Sequence, residues 1–208
     1  MELIIASRNR AKIKEIKTIL KGLPIKVMSL LDFETYPNIK ESGRTFKENA
    51  SKKAKTVARR FKKTALADDS GLMVDALKGA PGIRSARFAG PNPTAEKLCK
   101  KLLRAMKSIP AGRRKAKFVC DIAVASPAGK IEIVEGICSG KIGFCMRGRY
   151  GFGYDPVFIP HGYKKTFAEM APPFKNRISH RGRALKKARI LLKKIIRREG
   201  LKYGQDKS

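Results

Sequence analysis

Acidic side chains are scarce in this 208-residue chain: 17 Asp and Glu stand against 48 Lys and Arg, a formal net charge of +31. So basic a balance predicts attraction to polyanions, whether nucleotides, nucleic acid or acidic membrane surfaces. Histidine is nearly absent, with only His161 and His180. Neither has ligand spacing to Cys99, Cys120, Cys138 or Cys145, and no two cysteines form a C-x-x-C pair. No zinc site is therefore expected, and the thiols read as reduced and mostly buried, as in a cytoplasmic protein. No apolar stretch approaches the ~20 residues that span a bilayer. The opening run Met1 to Ala6 lacks the length and basic flank of a signal peptide, so no membrane partner is expected.

Hydrophobic residues make up 42% of the chain, enough for a sizeable core. With no internal repeat or linker, residues 1–199 read as one domain of two lobes, and 200–208 as a flexible tail. Strands are expected over 2–6, 25–28, 65–67, 117–126 and 131–138, the last two joined as a hairpin at Pro127 to Lys130. Helical spacing follows Asn9, with Ile13, Ile16 and Leu20 on one face. Thr45 and Glu48 form a capping box that opens a helix to about Phe61. Thr94 caps another helix with Leu98, Leu102 and Met106 inward, and residues 183–199 form the last. Residues 32–44 and 79–93 read as loops, and a glycine-rich loop from Gly148 precedes a short strand ending at Pro160. Together these predict an α/β protein with a mixed sheet and clefts at its strand ends.

Several segments carry possible chemistry. At Ser7-Arg8-Asn9-Arg10-Ala11-Lys12 a strand turns into a helix, so free N–H groups and the helix N-terminus suit a phosphate, with Lys12 one turn in. It lacks the glycines of a Walker loop, and a plain turn capped by Asn9 is the alternative. Asp68-Asp69-Ser70-Gly71 reads as a tight turn ending its strand. Neighbouring strand residues face opposite sides, so one carboxylate is free to hold a metal or activate water while the other is held locally. Two turn-capping aspartates are the alternative. Glu41 and Lys53 by themselves read as solvated charges. In Gly151-Phe152-Gly153-Tyr154-Asp155-Pro156, glycines let the backbone approach a ligand and two aromatics can sandwich a base, or merely fill a core. Ser179 reads as a helix cap, which puts His180 and Arg181 where cations oppose the helix dipole unless an anion is present. Lys175 precedes this cap. The last helix is basic almost throughout.

In this order and spacing the segments resemble the ITP/XTP/dITP pyrophosphatases. The matches are Ser7-x-Asn9-x-x-Lys12, Thr45-Phe46-x-x-Asn49-Ala50 with Lys53-Ala54, Asp68-Asp69-Ser70-Gly71-Leu72, Gly79-Ala80-Pro81-Gly82 with Ser85-Ala86-Arg87-Phe88, Gly151 to Pro156, and Ile178-Ser179-His180-Arg181. They cover Ile4 to about Leu191. The resemblance implies an elongated α/β fold of two lobes around a long central mixed sheet, the active site in the cleft between them, and a homodimer. It implies Mg²⁺-dependent hydrolysis of non-standard purine nucleoside triphosphates to the monophosphate and pyrophosphate. Ser7 to Lys12 with Lys53 would hold the triphosphate. Asp69 would be the catalytic base and a metal ligand, and Glu41 a second metal ligand. Ser70, Phe152, Gly153, Tyr154, Asp155, Lys175, His180 and Arg181 would form the nucleotide pocket, with Arg181 or His180 donating to a 6-keto oxygen. Mg²⁺ and four cations (Lys12, Lys53, Lys175, Arg181) would neutralise the tetra-anionic triphosphate. The chain departs from the family at Ala11, at Ala171 to Phe174 and in its charge. The alternative is a nucleic-acid-binding protein on the same fold, although no nucleic-acid-binding motif appears; a pyrophosphatase for modified pyrimidines is a related enzyme reading.

Overall fold

The computed structural model describes the backbone of residues 1–205 and side chains through Arg198; the expected tail lies outside the described side chains, and residues 206–208 lie outside the backbone as well. The strands are β1 (Glu2–Ile5), β2 (Lys26–Ser29), β3 (Thr64–Val74), β4 (Lys115–Ala125), β5 (Ile131–Ile142) and β6 (Phe158–Pro160). They form one sheet in the order β2-β1-β3-β4-β5-β6. β1 runs parallel to β2 and β3, whereas β3 to β6 pair antiparallel. The helices are α1 (Arg10–Leu20), α2 (Phe46–Phe61), α3 (Ala95–Ala105), α4 (Pro172–Ile178) and α5 (His180–Gln205).

The expected capping devices form. The Asn9 side chain accepts from the Lys12 N–H, and Thr45 accepts from the Glu48 N–H. Glu48 reaches back one residue further than a capping box requires, to the Arg44 N–H at 2.7 Å. The Ser179 hydroxyl accepts from the Gly182 N–H, so α5 begins at His180 rather than 183. Prolines 172 and 173 start α4, a short helix that the sequence reading passed over. Within the stretch 79–93, read as loop, Gly82–Arg87 winds into a 3-10 helix.

The main difference lies in β3. Its strand does not end at Asp68; it continues to Val74 and pairs with β4 from Ala65↔Ala125 to Val74↔Ala116. A continuous antiparallel ladder outweighs the local turn preference of Asp-Asp-Ser-Gly, because each residue added to the ladder satisfies backbone groups that would otherwise be buried unpaired. Gly71 is needed for packing, not for a turn: an added Cβ would lie 2.5 Å from both Gly82 O and Ser85 Oγ.

The core divides into three clusters. α1 and α5 cover one face of the β1 end of the sheet, through Ile13, Ile16, Leu185 and Leu192 against Leu66 and Ile122. α2 covers the other face with Ala50, Ala54, Val57 and Ala58, small residues that let it lie close to the strands. Past β1, the long strands β3 to β5 enter a second lobe with α3, β6 and Phe167. Each fully buried leucine or isoleucine contributes on the order of 1.5–3 kcal/mol. Leu98, Leu102 and Met106 face this second core as expected.

Candidate active site

β1 stops at Ile5, whose partner on β3 is Leu66. From Asp68 onward, the β3 edge on that side has no strand beside it; its contacts include the Lys53 ammonium, the Ser85 hydroxyl and, at its far end, a single bridge, Met73↔Pro81. This free edge lies at the carboxyl end of a parallel strand, between the lobes, and both faces of the sheet are reachable from it. Side-chain alternation then sorts the site residues. Asp69 shares the α2 face with Ala65 and Ala67; Asp68 and Ser70 share the α1–α5 face with Leu66.

On the α2 face, Lys53 joins the acids. Its Nζ lies 2.7 Å from Glu41 Oε1 and 3.0 Å from Asp69 Oδ1, and donates at 2.8 Å to the Asp68 carbonyl. Burial, with Glu41 beside it, raises the Asp69 carboxyl above its ordinary range despite Lys53. Burial also opposes ionisation of Glu41, but Lys53 outweighs it and the net shift is downward. Ammonium placed between two carboxylates shows that Glu41 and Asp69 converge on one cation position. Among the described residues no three metal-ligating side chains gather. That donor set fits Mg²⁺, which typically takes one or two carboxylates and completes its shell with water and substrate phosphates.

On the α1–α5 face, Asp68 is the hub. Arg181 Nε donates to its Oδ2 at 2.9 Å, and Lys12 Nζ forms an ion pair with Oδ1 at 2.8 Å. Burial would raise the Asp68 carboxyl, yet Lys12, Arg181 and Lys53 hold it far below the usual carboxylate range. Arg181 also donates to the Ser70 hydroxyl at 2.8 Å and to Glu15 Oε2 at 2.7 Å. Lys175 bridges Glu15 at 3.0 Å and Asp155 at 2.7 Å. The other carboxylate of the Asp-Asp pair, Asp68, is thus held by long-range ion pairs as well as by one long local hydrogen bond, from the Ser70 hydroxyl at 3.4 Å.

A cavity of about 300 Å³ opens beside this network. It is lined by ten of the expected residues: Asn9, Lys12, Ser70, Phe152, Gly153, Tyr154, Asp155, Lys175, His180 and Arg181. Glu41, Lys53 and Asp69 lie across the β3 edge, in the other half of the site. Of the turn residues, Ser7 accepts from the Asn9 N–H, Arg8 stacks on Tyr36 with its guanidinium 5.3 Å from the ring centre, and Arg8 and Arg10 are exposed. Ala11, in the first turn of α1, is half-buried. Phe152 lies over Lys175 and Arg181, at 5.0 and 5.3 Å. Tyr154 is less free than a base-stacking partner should be: it is 3% exposed and its hydroxyl donates to the Ser85 carbonyl. Instead, Phe118 stacks on His180 at 4.4 Å in the cavity wall. Gly151 (φ +80°) serves an internal approach, since an added Cβ would fall 2.0 Å from Asp155 Oδ2. His180 is buried with Nδ1 unpaired; burial and the neighbouring Arg181 and Lys175 push its pKa well down, so the ring is neutral.

Two functional carboxylates escaped the sequence reading. Glu15 lies one turn beyond Lys12 on α1, a spacing that puts both on one helix face and offered a usable signal. Asp121 is the direct cross-strand partner of Asp69, on its face and 8% exposed. Burial, then Glu135 and Asp69, raise its pKa. Its only signal was a lone acid in an apolar strand. Like charges directly opposite destabilise a sheet by roughly 0.2–1 kcal/mol. Asp121→Asn is expected to raise the thermal midpoint by about 1–4 °C at pH 7, measured by calorimetry.

The chain resembles known proteins along nearly its whole length. Residues 3–190 match the Ham1 family. A protein of Desulforamulus reducens named dITP/XTP pyrophosphatase is 47% identical over 195 residues, 94% of this chain and 97% of its own. One of the same name from Geobacillus kaustophilus is 46% identical over 186 residues, covering 89% and 91%. The solved structure of a HAM1 protein from Coxiella burnetii superposes with a TM-score of 0.85 at 40% identity, over 93% of this chain and 99% of that one. The α/β architecture, the free edge of β3 and the match over residues 3–190 place this chain in the Ham1 family.

Proposed function

We propose that this protein hydrolyses non-standard purine nucleoside triphosphates (ITP, dITP, XTP) to the monophosphate and pyrophosphate, clearing them before they enter DNA or RNA. The observation that carries this reading is the two-sided edge of β3: a raised-pKa carboxylate with a cation position on one face, a nucleotide-sized cavity on the other. The names of its relatives support the same activity.

The charge balance supports a metal-assisted reaction. Lys12, Lys53, Lys175 and Arg181 are all paired already, with Glu15, Glu41, Asp68, Asp69 and Asp155. Four cations against five carboxylates cannot by themselves neutralise a triphosphate, which fits the expectation that a metal ion shares that task. Mg²⁺ held by Glu41 and Asp69 would supply the missing charge at the phosphates. With the acids so engaged, Lys53 would be free to turn toward phosphate, and the N-termini of α1 and α5 would add their dipoles from the other side. Asp69 takes a proton from water as the water oxygen bonds the α-phosphorus and the bond to the pyrophosphate oxygen breaks.

Base selection follows from Arg181. Asp68, Glu15 and Ser70 take three of its five N–H groups and lock its plane, leaving two for a 6-keto oxygen. A 6-amino group would leave those donors unpaired, a strong basis for rejection. Free thiols at Cys99, Cys120, Cys138 and Cys145 suit the cytoplasm, and no described helix is long and apolar enough to cross a membrane. Homodimer formation rests on the family resemblance. The test is pyrophosphate release with Mg²⁺ from ITP, dITP, XTP, ATP, GTP and dTTP. Rapid release confined to ITP, dITP and XTP is expected; equal release from ATP or dTTP would refute the specificity, and no release from any would refute the activity.

A further inference from the structure

The ion-paired network of the site accounts for none of the +31 charge, since five carboxylates face four cations in it. The excess is spread outside that network, and one surface carries a share of it without opposition. α1 and α5 pack side by side and run parallel: Glu15 meets Arg181 near their starts, and Arg189 donates to the Ile19 and Lys21 carbonyls further along. Their inward residues form core. Outward, α1 presents Lys14 and Lys17, with Lys21 at its C-cap, and α5 presents Lys186, Lys193 and Arg197, all exposed. Among the described residues neither helix exposes an acid, and of these six only Lys17 has a carboxylate within reach, Asp32 at 3.9 Å.

Like charges at three- and four-residue spacing destabilise a helix. The helix dipole favours cations only in the last turn, which excuses neither Lys14 nor Lys186. A local cost kept along a whole face points to a ligand. The side chains converge on no pocket. They follow a ridge of about 17 Å from residue 186 to 197 at 1.5 Å per residue, so the ligand is an extended polyanion, not a small anion. A membrane-lying helix would present large apolar groups beside its lysines; among the described residues of α1 and α5 Ile190 is the one exposed large apolar side chain. No aromatic stands on either face through residue 198 for unpaired bases to stack on, which favours a duplex over a single strand.

We propose that the outward face of α1 and α5 binds the phosphate backbone of double-stranded nucleic acid without reading its sequence. The surface is additional to the catalytic site and independent of the activity proposed above, because binding is read without nucleotide.

The test is fluorescence anisotropy of a labelled 20-base-pair DNA duplex between 50 and 300 mM NaCl. Wild type is compared with an α5 variant (Lys186→Glu, Lys193→Glu, Arg197→Glu) and an α3 control of equal charge change (Lys97→Glu, Lys101→Glu, Arg104→Glu). Wild type is expected to bind with a steep log–log salt slope. The α5 variant should lose at least tenfold in affinity at 100 mM NaCl and flatten the slope by about three units, close to one for each phosphate no longer neutralised. The control should keep both, and all three proteins should hydrolyse ITP alike. Equal losses in the two variants would overturn the proposal in favour of unspecific charge. So would absent duplex binding at 150 mM NaCl, or binding to phosphatidylserine vesicles in place of duplex. Should the triple variant lose its thermal transition, Lys193→Glu alone must flatten the slope by about one unit, and an unchanged slope would overturn the proposal.

Discussion

Asp69→Asn is expected to lower kcat for pyrophosphate release by about 10²–10⁴-fold while the protein stays folded. The substitution keeps the side chain's volume and removes the base. It also removes half of the cation position shared with Glu41, 2.7 Å from Lys53 on its other side. Because Asp69 stands opposite Asp121, neutralising it relieves a like-charge pair, so the thermal midpoint should hold or rise. Loss of activity with unchanged or increased stability assigns Asp69 to chemistry. Equal loss of both would make it structural, and retained turnover would remove it from the mechanism. Asn at this position also leaves the Asp68 network on the opposite face intact, so KM should move less than kcat.

Asp68→Ala is expected to do the converse. Asp68 is 2% exposed and holds Lys12 and Arg181 together. Its removal takes a carboxylate from buried Arg181, which keeps Glu15, and from half-buried Lys12; losing one partner of a fully buried pair costs about 3–5 kcal/mol. The pH dependence gives a second check. Asp68 has a folded pKa far below its unfolded value of about 3.9. A depressed carboxyl contributes stability above its unfolded pKa and loses it as pH falls through that value toward the folded one. Wild type should therefore lose stability steeply below about pH 4, and Asp68→Ala should be weaker at neutral pH with a shallower acid limb. Urea unfolding at pH 7 and pH 3 measures both. Equal stability of the two proteins at pH 7 would show that the network does not hold the fold.

Adjacent aspartates with opposite duties show where sequence and tertiary structure divide the work. Alternation along a strand already required that Asp68 and Asp69 face different sides, and their place among the other motifs marked Asp69 as the reactive one. The elements around them were legible for local reasons: Asn9, Thr45 and Ser179 cap helices with their own side chains, and Ile13, Ile16 and Leu20 recur at helical spacing. The length of β3 was not legible, because its ladder is made with β4, some fifty residues away in sequence, while the local signal was a turn. Glu15 and Asp121 acquire their roles only from Lys175, Arg181 and Asp69, residues far from them in the chain. The sequence by itself determined the helices, the mixed α/β class, the residue types of the site and the surplus of positive charge, since each depends on neighbours within a few positions. Only the tertiary structure decided that the site straddles a free strand edge, that four of its cations are already paired and that part of the surplus charge lines an acid-free outer face of α1 and α5, because ion pairing and burial depend on which distant segments the fold brings together.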